Sequence, residues 1–111
     1  MAEDAFLQAL TALEEVIAEN DKRATLIKKR MGRIRKARAR GVRYAESVAD
    51  EDGPLIVQLI TESSNALDTC GASVRRAEAQ ALYDEGMTMD QIAEHFGVTR
   101  QRVSALLRKA R

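Results

Sequence analysis

Residues 88–108, TMDQIAEHFGVTRQRVSALLR, constrain the fold more than any other stretch of this chain. Thr88 is placed to cap a helix, and Gln91 three residues on completes a capping box. Ile92, Ala93 and Phe96 then recur at helical spacing as an apolar stripe. Gly97 follows where the chain must turn, because glycine reaches positive φ without steric cost. Thr99 is the natural cap of a second helix that buries Val103, Leu106 and Leu107. Two short helices cross closely only over a small side chain, and Ala93 supplies it. The spacing therefore predicts two helices joined by a glycine turn. The second exposes Arg100, Gln101, Ser104, Ala105 and Arg108, which include donors suited to base edges and phosphates.

The stretch resembles the helix-turn-helix family of bacterial regulators, with Ala93, Gly97, Val98, Val103 and Leu106 at the family's marker positions. The segment GVTRQRVSALLRKAR is similar to the end of sigma-factor region four, which reads the −35 promoter element. Where that pattern has an acidic residue, an arginine and a glutamine, this chain has Gln101, Ser104 and Ala105, so a −35 target does not carry over. The resemblance spans roughly residues 73–111. It implies double-stranded DNA as partner, with Arg100, Gln101, Ser104, Ala105 and Arg108 at the base- and phosphate-facing positions; Thr88, Thr99, Arg102 and Lys109 complete the expected DNA-binding set. The recognition-helix N-terminus at Thr99 would hold a phosphate. Because sigma region four also docks on RNA polymerase, the resemblance brings polymerase in as a second partner.

Upstream, Phe6, Leu10, Leu13, Ile17, Asn20, Ala24, Ile27, Met31 and Ile34 recur at alternating spacings of four and three. This predicts a long helix from about residue 3 to the low forties. Its seam either joins two protomers or packs on the chain's own helices. Asn20 is the one polar member and can fix register, although Asn20–Asp21 also reads as a loop. Gly32 weakens the second half of the helix. Asp50-Glu51-Asp52-Gly53-Pro54 is the clearest turn, with Pro54 suited to a first helical position. Ile56, Ile60, Leu67, Cys70, Val74 and Ala77 continue a helical stripe. Gly71 and Ser73 suggest a stop and restart, which makes residues 73–85 the first helix of a three-helix head ending at Glu85-Gly86. Leu82 and Tyr83 would pack beneath the recognition helix. The expected fold is all-α: a long N-terminal helix or coiled-coil-like hairpin over 1–72, and a helix-turn-helix head over 73–111.

Charge is segregated. Residues 1–21 carry six acids and no base, 22–43 eleven Lys or Arg and no acid, and 44–74 six acids and no base. A net charge of +1 hides this pattern, and binding follows local potential rather than the sum. Lys28, Lys29, Arg30, Arg33, Arg35 and Lys36 are candidates for DNA phosphate contact; the alternative is that the run meets acidic segments of this chain or its partner. No aromatic side chain interrupts residues 22–43, which argues against base stacking on single strands.

Aromatics are 4% of a 111-residue chain and charged residues 32%, a balance that suits a thin helical core stabilised by association. A homodimer is expected. No apolar run approaches the ~18 residues a bilayer span needs, and no secretory signal opens the chain. The single Cys70 has no internal disulfide partner, which fits a reducing cytoplasm and a small buried side chain. His95 is the only histidine, and with Cys70 it falls short of a metal site. With no phosphate loop either, neither enzyme activity nor a metal or other cofactor is expected. The sequence reads as a small cytoplasmic, nucleoid-associated, homodimeric transcription regulator of bacteria or phage. An architectural DNA-binding protein and a polymerase-docking module are the rivals.

Overall fold

Asp4 starts the first helix: its carboxylate accepts the Leu7 N–H at 2.8 Å, leaving the chain free to run as α1 from Ala5 to Ala39. The computed structural model describes residues 4–49 and 52–110. Among them are five helices and no strand: α1, α2 (Tyr44–Ala49), α3 (Ile56–Asp84), α4 (Met89–Phe96) and α5 (Arg100–Ala110). The fold is all-α, with the long N-terminal helix and C-terminal helix-turn-helix the sequence predicts. Two units form, one of Met1–Glu14 with Asp68–Arg111, the other of Glu15–Leu67. Asp50 and Glu51 of the expected acidic turn, and the terminal Arg111, lie outside the described residues.

In the unit Glu15–Leu67, α1 and the start of α3 lie side by side. Asn20 Nδ2 donates to the Ser63 carbonyl at 3.2 Å, and Arg23 Nε lies 3.5 Å from Glu62 Oε2. Arg30 Nη2 reaches the carbonyl of Asp52, just before α3. Partners descend in number as α1 ascends, so the two helices are antiparallel. Asn20–Asp21 is helical, and the Asn20 amide also accepts from Arg23 Nη1 at 2.8 Å. α1 closes with Val42 N–H on Ala37 O at 3.0 Å and Gly41 N–H on Arg38 O at 2.9 Å, the paired bonds of a Schellman ending. The short α2 follows, with Arg38 stacked 4.5 Å above the Tyr44 ring.

Within the single chain, the shielded positions of α1 include most of the seam the apolar pattern picks out. The row Phe6, Leu13, Asn20, Ile27 and Ile34 is half-buried as expected, and Ala9, Val16, Arg23, Arg30 and Ala37 are shielded as well. From the expected companion row, Leu10 and Met31 are half-buried, whereas Ile17 is 47% exposed and Ala24 is exposed. Beside this seam Asn20, Arg23 and Arg30 find polar partners at the start of α3 or just before it, and Ala37 is buried.

Two expected breaks do not occur as read. α3 runs unbroken through Gly71 and Ser73. The Ser73 hydroxyl donates back to Thr69 O at 3.4 Å and accepts from Arg76 Nη2 at 3.3 Å, so it serves the helix interior rather than capping a new one. Pro54 does not take a first helical position. α3 begins at Ile56, where Gln58 Oε1 reaches back to the Leu55 N–H at 2.7 Å.

In the other unit, Ala79 of α3, Ile92 and Ala93 of α4, and Val103, Leu106 and Leu107 of α5 form one buried cluster. Leu82, Met87, Met89 and Phe96 pack around it. Ile92 and Val103 are fully buried, each worth about 1.5–3 kcal/mol of apolar burial. Leu82 lies against the cluster as expected, whereas Tyr83 is 37% exposed. Cys70 is buried.

Candidate nucleic-acid interface

Local bonds set the geometry of the head. Thr88 Oγ1 accepts the Gln91 N–H at 3.1 Å while Gln91 Oε1 accepts the Thr88 N–H at 2.9 Å, a complete capping box. α4 ends on Gly97 at φ 70°, ψ 34°, with Gly97 N–H on Glu94 O and Val98 N–H on Ala93 O. A Cβ in this left-handed backbone is disfavoured, which is why glycine stands here. Thr99 Oγ1 then accepts the Arg102 N–H at 3.1 Å and opens α5. The crossing of α4 and α5 is made over Ala93, 7% exposed, against Val103.

With Val103, Leu106 and Leu107 turned inward, the helical period leaves Gln101, Ser104, Ala105 and Arg108 as the outer row of α5. Gln101 and Arg108 are exposed; Ser104 and Ala105 are half-buried rather than open, with Arg108 Nη1 donating to Ser104 Oγ at 3.0 Å. Arg100 flanks this row, its Nε 3.9 Å from Asp90 Oδ1, with both side chains largely in solvent. Such a surface contact is worth a fraction of a kcal/mol, so Arg100 is free to leave it for a better partner. Thr99, Arg102 and Lys109 are exposed, and Thr88 is exposed at the start of α4. The head thus brings together Arg100, Gln101, Ser104, Ala105 and Arg108 on one helix. Arg102 lies instead beside Arg75, in a shallow groove of about 240 Å³ that Phe96 and Val98 also line.

The basic run of residues 22–43 belongs to α1 and the turn after it. Lys28, Lys29, Arg33, Arg35 and Lys36 are exposed and have no ion-pair partner among the described residues. Arg30 is the exception in this set. It is 4% exposed, donates to the Asp52 carbonyl, and leaves Nε and Nη1 buried without a partner among the described residues. It faces the protein rather than the outside. No helix is long and apolar enough to cross a membrane among the described residues.

Residues 72–111 match the homeodomain-like domain family, a class of helix-turn-helix DNA-binding folds. The match covers the C-terminal end of α3, the capped α4, the glycine turn and α5, the same elements the buried cluster ties together. It reaches the helix-turn-helix class and says nothing of sigma region four. No curated protein and no solved structure matches the chain.

Proposed function

We propose that this protein binds double-stranded DNA sequence-specifically as a homodimeric transcription regulator of a bacterium or phage, working in the cytoplasm at the nucleoid. Residues 1–72 join the protomers and residues 73–111 read DNA. The observation that carries the reading is α5: its apolar face is spent on the core, and the opposite face offers Gln101 and Arg108 flanked by Arg100. Arginine pairs bidentately with guanine and glutamine with adenine in the major groove. Thr99 and the α5 N-terminus sit where backbone N–H groups and helix dipole favour a phosphate. In a dimer the two α5 helices would enter successive major grooves about 34 Å apart.

The exposed cations of α1 favour a second reading, in which Lys28, Lys29, Arg33, Arg35 and Lys36 hold DNA with little sequence preference and the head adds selectivity. Binding titrations on a selected site and on random duplex separate the two. Arg100→Ala or Gln101→Ala should cost about 1–3 kcal/mol on the selected site and much less on random DNA. Equal losses on both would show that α5 does not read sequence.

A further inference from the structure

The unit Glu15–Leu67 leaves open an apolar face bordered by charges whose sign reverses halfway along. Ile17 on α1 is 47% exposed, and Ile60 and Leu67 on α3 are 50% and 48% exposed. In an antiparallel pair, the residue following each inward position turns to the same side of both helices, because one runs toward a viewer and the other away. Ile17 follows half-buried Val16, and Ala24 follows Arg23; Ile60 follows buried Leu59, and Leu67 follows half-buried Ala66. All four therefore share one side. The links from Asn20 to Ser63 and from Arg23 to Glu62 set Ala24 level with Ile60.

Along α1 this side is edged by Asp21 and, seven residues on, Lys28; the same spacing continues to Glu14 and Arg35 in the sequence. All four are exposed and none has an ion-pair partner among the described residues. Nor does their own helix supply one for the central two. Three and four residues away, Asp21 has Ile17, Ala18, Ala24 and Thr25, and Lys28 has Ala24, Thr25, Met31 and Gly32, none of them charged. Ala24 lies at the middle of the row.

We propose that a second copy of this chain covers this face, with its α1 antiparallel to the first and the two-fold axis passing near Ala24 and Ile60. The proposal rests on the homodimer reading above and gives it a surface and a direction. Antiparallel pairing about Ala24 sets Asp21 against Lys28 of the other copy, and Glu14 against Arg35, at both ends of the axis. Parallel pairing would set each charge against itself. Ala24 admits close backbone approach at the crossing, and Ile17, Ile60 and Leu67 lose their exposure to water. The interface is isologous, so every favourable pair occurs twice.

Sedimentation of the full chain tests this. The wild type should be a dimer at tens of micromolar, and Asp21→Lys or Lys28→Asp alone should weaken association on the order of tenfold, since each turns two attractions into repulsions. The double reversal should restore most of the loss. Ile60→Asp, at an exposed position, should give a folded monomer with unchanged helical circular dichroism. A monomeric wild type overturns the homodimer reading and this proposal together. A wild-type dimer indifferent to the single reversals, or not rescued by the double, overturns the antiparallel face alone. As an independent readout in a Cys70→Ala background, Asp21→Cys chains mixed with Lys28→Cys chains should cross-link to each other; cross-linking of Asp21→Cys chains among themselves overturns the proposal.

Discussion

The same chemical change, glycine to alanine, should have opposite signs at Gly97 and Gly32. At Gly97 an added Cβ meets nothing within 4 Å, so crowding contributes nothing. The backbone stands at φ 70°, where an L side chain costs about 1–2 kcal/mol. Alanine also narrows the unfolded ensemble, which offsets roughly 0.4–1 kcal/mol of that cost. The balance is a loss of about 1 kcal/mol. Gly32 lies within α1 and likewise has nothing within 4 Å of an added Cβ. Alanine there removes the helix penalty of glycine and should stabilise by about 0.8–1 kcal/mol. Urea unfolding followed by circular dichroism measures both, and Gly97→Asn should lose less than Gly97→Ala because asparagine tolerates the left-handed region. Stabilisation by Gly97→Ala would show that the turn does not adopt the left-handed geometry. A loss above about 3 kcal/mol at Gly97, more than strain supplies, would show a crowded turn. Destabilisation by Gly32→Ala would refute a continuous α1.

Arg30→Met should leave stability unchanged or raise it by about 1 kcal/mol or more in urea unfolding, because it replaces by an apolar chain a buried guanidinium whose Nε and Nη1 find no partner among the described residues; a marked loss would mean the guanidinium is well partnered. Thr99→Ala should cost about 1 kcal/mol through the lost cap and weaken DNA binding in parallel; unchanged stability would deny the cap. Replacing Lys29, Arg33 and Lys36, which take no part in the proposed dimer face, with glutamine should flatten the slope of log affinity against log salt by roughly 0.9 for each phosphate no longer neutralised, on specific and random DNA alike. An unchanged slope in a folded variant would turn the run toward protein or solvent.

The head was legible in the sequence because its signals are local. Thr88 with Gln91, the lone Gly97 and Thr99 each fix backbone within a few residues, and the structure places each where the spacing does. The outward row of α5 followed from the same period, although Ser104 and Ala105 are less open than the pattern implied. The hairpin was harder, since Phe6, Leu13, Asn20, Ile27 and Ile34 fit either of two heptad seams. Counting apolar residues favours Leu10, Ile17, Ala24 and Met31 as companions. Within one chain Ala9, Val16, Arg23, Arg30 and Ala37 are shielded as well, and Arg23 and Arg30 meet Glu62 and the Asp52 carbonyl. A test of association therefore belongs at exposed Ile17 and Ile60, while Leu13 and Ile27 test the fold. Gly71 and Ser73 misled because packing along α3 outweighs a local break worth about 1 kcal/mol.

The central claim is that α5 reads duplex DNA, and selection from a random duplex library with the full chain tests it most directly. Enrichment of one motif, as two inverted half-sites centred about 10–10.5 base pairs apart, is the expected result, with loss of preference at defined bases for Arg100→Ala and Gln101→Ala. Recovery of sequences with no shared motif, bound equally well by those variants, would contradict it.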